Sequence, residues 1–249
     1  ELHNGQITLR LIMLKFIKKI IRTDIFIGTM KKFFATVMYC LVFAFALMVS
    51  AQEQKPNVIY ILADDLGYGD LGYNGQELIE TPELDELARN GMRFTNHYCG
   101  NAVCAPSRAS LLMGQHPGHA NIRSNSPGYP NGQTPIPADS ETLGKLMQRA
   151  GYKTACIGKW GLGSFHDTGN PNKQGFDYFY GYTDQVLAHN YYPKYLWQNG
   201  IKQFLDNGNG KQNDYSHDLF TAAAISFIKQ NKNEPFFLYL AYTCLLYTS

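Results

Sequence analysis

Two continuous apolar runs, Asn57–Ala63 and Phe236–Tyr242, constrain the fold of this chain more than any other feature. Neither alternates polar with apolar residues, and both have strand length. Each therefore predicts a strand buried on both faces, and the first reads as a central parallel strand. Helical and strand patterns alternate between them. Thr81-Pro82-Glu83 is a helix start, with Leu84, Leu87 and Ala88 as its apolar face and Gly91 as its end. Met92–Tyr98 follows as a strand, then a helix over Ser107–Met113 that stops at Gly114. After the turn-rich segment Pro117–Pro137 come a helix over Ser140–Ala150, a strand over Tyr152–Lys159 and a longer helix within Asp214–Asn231. Strands alternating with helices imply crossover connections, hence an α/β fold with a mostly parallel central sheet flanked by helices.

The two ends of the chain stand outside this pattern. Lys31 and Lys32, the apolar run Phe33–Val49 and the small residues Val49-Ser50-Ala51 predict a secretory signal over 30–51. No basic stop-transfer cluster follows, so the expected product is exported, periplasmic or secreted, and meets a membrane only through the signal peptide. Residues 1–29 read as an upstream or non-native segment. Residues 244–249 read as an aberrant end, because a core strand that stops without a following loop implies that the C-terminal part of the fold is missing. The expected folded unit is 56–243.

Residues 1–51 hold seven basic and two acidic side chains, so the rest carries 15 basic against 18 acidic, net −3. That balance gives no electrostatic case for nucleic acid. Four cysteines remain (Cys99, Cys104, Cys156, Cys244), too few for a disulfide scaffold.

Three groups fall at predicted strand ends, where open α/β sheets bind ligands. Asp64-Asp65 places adjacent carboxylates after the first strand. Burying both requires a cation, and oxygen donors suit Ca2+ or Mg2+; a solvated turn is the equal alternative on these residues alone. Gly158-Lys159-Trp160-Gly161-Leu162-Gly163 lets a lysine emerge among glycines, able to reach an oxyanion as a point charge. Gln185–Pro193, with Trp197 behind it, offers aromatic rings with polar tips that suit sugars. His189 within it is a candidate substrate ligand, and a loop packing its own aromatics is the simpler reading. A fourth run, Cys104-Ala105-Pro106-Ser107-Arg108, sets a thiol at a helix start, where the dipole favours an anion, and an arginine one turn along.

Two patterns point elsewhere. Gly67-Tyr68-Gly69-Asp70-Leu71-Gly72 matches a dinucleotide-binding glycine motif, but loop-forming residues continue to Thr81 where a helix should open. His97, Cys99, Cys104 and Cys156 have no zinc-module spacing. A Cys99–Cys104 disulfide is the sharper rival, since it would consume the thiol.

Cys104–Arg108 followed by Ala109-Ser110-Leu111-Leu112-Met113-Gly114 resembles the signature of sulfatases, and Gly158–Gly163 resembles the second signature of that family. The resemblance implies an alkaline-phosphatase-like fold and hydrolysis of a sulfate ester on a sulfated small molecule or glycan. It implies that Cys104 is converted to formylglycine by a formylglycine-generating or anaerobic sulfatase-maturating enzyme. The aldehyde hydrate is then the nucleophile, passing through a covalent sulfate ester. It also implies that Asp64, Asp65 and the residue-104 oxygen bind Ca2+ or Mg2+, and that Arg108 and Lys159 neutralise the sulfate. Two positions depart. Met113 stands where a small residue is usual. Gly161 stands where histidine is common, which leaves His189 as a candidate replacement. The alternatives are a phosphodiesterase or phosphonate monoester hydrolase of the same superfamily and a non-catalytic carbohydrate-binding pseudoenzyme.

Overall fold

The computed structural model describes residues 15, 28–41, 55–128 and 132–244, with the side chains of 127, 128 and 132 excepted. The chain divides into two units, 1–54 and 55–249. In the first, residues 28–41 form a helix, α1, whose apolar side chains are exposed. Among the described residues no helix is long and apolar enough to cross a membrane. Residues 42–51 of the expected signal segment, and all of 244–249 beyond Cys244, lie outside the described residues.

The second unit runs β1 (Val58–Ala63), α2 (Pro82–Asn90), α3 (Cys104–Met113), β2 (Pro127–Gly128), β3 (Gly132–Gln133), α4 (Leu143–Arg149), β4 (Lys153–Lys159), β5 (Tyr178–Tyr182), β6 (Tyr195–Gln198), β7 (Ile201–Phe204), α5 (Ser216–Asn231) and β8 (Phe236–Tyr242). Six strands form one sheet in the order β1-β8-β4-β5-β6-β7. The first four are mutually parallel, and β6 and β7 add an antiparallel hairpin at the far side. Strands β2 and β3 make a separate two-stranded ribbon.

Helix α5 covers one face of the sheet. Phe220, Ala224 and Phe227 pack on Ala155, Ile157, Phe236, Leu238 and Leu240. On the other face Ala105, Ala109 and Leu112 of α3 join Cys156, Phe179, Phe237, Tyr239 and Ala241. Strand β8 therefore buries its odd residues under α3 and its even ones under α5, which explains its unbroken apolar run.

Strand β1 departs from the expectation. Among the described residues it pairs only with β8 and stands at one end of the strand order, while β8 lies inside the sheet between β1 and β4. Val58, Tyr60 and Leu62 face the core under α3, while Ile59 and Ile61 are exposed. An apolar run records what a strand could bury, not which neighbour arrives to cover it, and α5 does not reach β1.

Two further expectations fail locally. Residues 92–98 form no strand, because no partner ladder reaches them, and Met92, Phe94 and Tyr98 are exposed. Helix α2 begins at Pro82 as expected, but Leu84 and Leu87 are exposed instead of facing a core. Thr81 does not cap it with its side chain; its hydroxyl accepts from the Gly72 amide and donates to Asp85. The glycine-rich segment 67–72 winds into 3-10 turns at Tyr68–Asp70 and Gly72–Asn74, not the helix that a dinucleotide site needs. Helix α3 starts two residues earlier than the proline suggests, with Pro106 as its third residue, and ends at left-handed Gly114.

Candidate active site

The carboxyl ends of β1, β8 and β4 lie side by side. Ala63 pairs with Tyr242, and Gly158 with Ala241, so Asp64 and Lys159 emerge on either side of the end of β8. Gly158 has a φ of +111°, and a side chain there would strike the Ala241 carbonyl. Glycine is thus what lets the last turn of β4 carry Lys159 toward its neighbours. The start of α3 packs over the same edge and adds Cys104 and Arg108.

These residues meet in one hydrogen-bonded cluster. The Asp64 carboxylate accepts from Lys159 Nζ at 2.6 Å and from Arg108 Nη2 at 3.0 Å. Arg108 Nη1 also donates to the Lys159 carbonyl at 2.6 Å. Lys159 Nζ lies 3.4 Å from Cys104 Sγ, and that sulfur lies 3.9 Å from Asp64 Oδ2. Lys159 is fully buried, Arg108 is 1 % exposed and Asp64 7 %. Burial pushes the Asp64 carboxyl up, but the Arg108 and Lys159 charges outweigh it and hold the group below its ordinary value. Burial likewise works against the Arg108 charge, which the Asp64 carboxylate sustains.

Asp65 completes the arrangement from a solvent-exposed position with a φ of +56°, a left-handed conformation that costs a non-glycine residue about 1–2 kcal/mol. One ligand atom from each of Asp64, Asp65 and Cys104 lies within 4.8 Å of the others. Two carboxylates suit a hard divalent cation, whereas a thiol does not; an oxygen at position 104 would complete an all-oxygen set. Charge supports the same fit. Asp64 and Asp65 cancel Arg108 and Lys159, so the residues alone hold no net attraction for an anion, and a divalent ion supplies it.

The position after Trp160 is also resolved. Gly161 has a φ of +74°, and a side chain there would collide with the amide of Gln185. Gln185 is 3 % exposed; its Nε2 reaches the Gly161 carbonyl at 3.4 Å, and its Oε1 has no partner among the described residues. Sequence reasoning quoted Gln185 only as the start of an aromatic segment. Its contact with Gly161 spans 24 positions, and no local pattern reveals it.

His189 lies on the 3-10 turn Leu187–His189, exposed, and takes no part in the hydrogen bonds of the Asp64 cluster. His217 is buried at the start of α5. It bonds to the Tyr215 hydroxyl at 2.8 Å and the Thr243 hydroxyl at 2.7 Å, beyond the end of β8. Burial lowers its pKa, against the Thr243 carbonyl and the Asp218 charge. Cys99 and Cys104 are both free thiols, Cys99 exposed and donating to the Asn101 carbonyl, while Cys156 is buried in the core under α3.

Comparison with known proteins bears on the same segment. The sulfatase family model matches residues 56–243. N-acetylgalactosamine-6-sulfatase of Mus musculus is 32 % identical over 228 residues, covering 80 % of this chain and 41 % of that protein. A solved structure from work on glycosaminoglycan metabolism by Bacteroides thetaiotaomicron superposes with a TM-score of 0.67 at 31 % identity, over 78 % of this chain and 52 % of that one. Another, in complex with its substrate D-glucosamine-2-N,6-O-disulfate, gives a TM-score of 0.63 at 32 % identity, over 77 % and 35 %. The chain thus spans about two fifths of the length of the curated relative it matches. Its mixed sheet with flanking helices is the alkaline-phosphatase-like architecture of these neighbours. With both signatures converging on one buried cluster and the family model covering the whole sheet, the chain belongs to the sulfatase family.

Proposed function

We propose that this chain carries the nucleophile, metal ligands and anion-binding cations of an exported enzyme that hydrolyses a sulfate ester on a glycan. The observation that carries the reading is the meeting of Asp64, Asp65, Cys104, Arg108 and Lys159 at one sheet edge. Cys104 is the residue converted to formylglycine, whose hydrate supplies the attacking oxygen. Ca2+ or Mg2+, held by Asp64, Asp65 and the residue-104 oxygen, supplies Lewis-acid polarisation of the sulfate.

The chain's own residues do the rest. Lys159 stands between Asp64 and position 104, where its charge can offset negative charge developing on the sulfate and on the attacking oxygen. Arg108 ties the Asp64 carboxylate to the Lys159 backbone, fixing the distance between metal ligand and cation. Support for a glycan comes from the relative acting on N-acetylgalactosamine 6-sulfate and the neighbour bound to D-glucosamine-2-N,6-O-disulfate. Support for export comes from the basic, apolar and small-residue order of 30–51.

The test is peptide mass spectrometry across Cys104 after expression of the full-length gene with a formylglycine-generating enzyme, together with turnover of 4-nitrophenyl sulfate. An aldehyde at 104 with metal-dependent turnover is expected. An unmodified Cys104 beside a control sulfatase that is converted would favour the carbohydrate-binding pseudoenzyme.

A further inference from the structure

Helix α3 begins without a local side-chain cap. Val103 holds the N-cap place and has no polar side chain to offer the first turn. Cys104 and Ala105 follow as the first and second helical residues, and Pro106 in third place has no N–H. The Ser107 amide is the first to close a helical bond, onto the Val103 carbonyl at 3.0 Å. The Ala105 amide finds its acceptor 20 positions away, in Asn125 Oδ1 at 2.9 Å. A backbone N–H can bond only to the oxygen of an asparagine amide, so the orientation of this side chain follows from its partner.

Asn125 sits on a segment that joins the two signature regions. Ile122 and Ile136 are buried in the same core cluster as Ala105 and Leu162. The Ile136 amide donates to the Leu162 carbonyl at 3.1 Å, just past Gly161. Asn125 itself is exposed, so it adds nothing to the core. What its side chain supplies is a fixed backbone beside residue 104. The Cys104 side chain meets Lys159 and Asp64 on one side, and the amide that follows it is held by Asn125 on the other. A cap bond to the second helical residue keeps the first turn wound, which sets where the side-chain atom of residue 104 lies. For an attacking atom, a misplacement of about 1 Å costs about a hundredfold in rate.

We propose that Asn125 is a positioning residue for the nucleophile: its side-chain oxygen caps α3 from a distant segment and holds residue 104 in place beside Asp64, Asp65 and Lys159. The role in turnover rests on the sulfate-ester reading above; the cap itself does not.

The test has two arms, each run on wild type, Asn125→Ala and Asn125→Asp. The first follows hydrogen exchange of the Ala105 amide in the full chain before maturation. Asn125→Ala should exchange about tenfold faster or more, while Asn125→Asp, whose carboxylate still accepts, should stay close to wild type. The second measures kcat and KM for 4-nitrophenyl sulfate with the matured full-length enzyme, per mole of aldehyde found at position 104. Asn125→Ala should lower kcat by about tenfold or more and leave KM nearly unchanged. Its melting temperature should fall by only about 2–4 °C, as for the loss of one helix cap. Asn125→Asp should regain most of kcat, with a KM raised by its charge and sensitive to salt. Ala105 exchange that ignores Asn125, a kcat per aldehyde unchanged in Asn125→Ala, or a loss that Asn125→Asp does not rescue would each overturn the proposal. Asn125-dependent protection of Ala105 in an enzyme that turns over no sulfate ester would refute the sulfate-ester reading, and with it the role in turnover, while the cap stands.

Discussion

The amide of Gln185 occupies the space into which a side chain on residue 161 would project, so these two positions form one steric unit. The backbone at Gly161 adds a second restriction, because its φ of +74° lies in the left-handed region. Gly161→His should therefore destabilise the protein by about 2 kcal/mol or more, from strain and overlap together. Gln185→Gly in the same chain should recover part of that loss, leaving the backbone strain. A double-mutant cycle by urea denaturation measures the coupling; additive single effects would mean that the two side chains do not share the space.

Asp64 is the only carboxylate bonded to both Arg108 and Lys159 among the described residues. Asp64→Asn leaves two buried cations without their counterion, and should cost about 3–5 kcal/mol in denaturant unfolding at neutral pH. A loss within the range of an exposed ion pair would show that water reaches the cluster.

Asp65 is exposed and makes no part of that network, so its removal should spare the fold. Ca2+ at about 100 times its dissociation constant should stabilise the protein by about 2.7 kcal/mol. Asp65→Ala should abolish that increment in thermal melts while leaving the chelator-treated protein unchanged. An undiminished calcium increment in Asp65→Ala would remove it from the ligand set.

His217 gives the fold a pH dependence of definite sign. Its pKa is lowered in the folded state from the ordinary 6.5, so its neutral form is favoured there. The stability it contributes is complete above pH 6.5 and is lost as the pH falls from that value through the lowered folded one. His217→Asn should flatten the dependence of unfolding free energy on pH below 6.5, at some cost in stability above it. An unchanged slope would place the acid sensitivity elsewhere.

Much of this architecture was written in local patterns. The β4 and α5 segments and the end of α3 at Gly114 follow from periodicity and glycine and proline placement. The arrival of Asp64 and Lys159 at strand ends follows from the rule that ligands meet strand carboxyl ends; the joining of Cys104 to them was implied by the resemblance to sulfatases. The rest depended on partners distant in sequence. Nothing in Asn57–Ala63 tells that this strand will stand at one end of the strand order with β8 inside it, and nothing in Met92–Tyr98 tells that no ladder awaits it. The hairpin β6–β7 was missed because its strands are short and mixed in polarity. Arg108 was legible as a cation near an anion, but not as the brace between Asp64 and the Lys159 carbonyl, which joins residues 44 and 51 positions away.

Those long separations set a clock. Lys159 follows Cys104 by 55 positions, and a ribosome adding roughly 5–20 residues per second needs several seconds to deliver it. Through that interval the thiol travels on a nascent chain that has no β4 to dock against. A maturation enzyme working on the growing chain would meet Cys104 as an open peptide, and the arrival of Lys159 would close the cluster over a residue already changed.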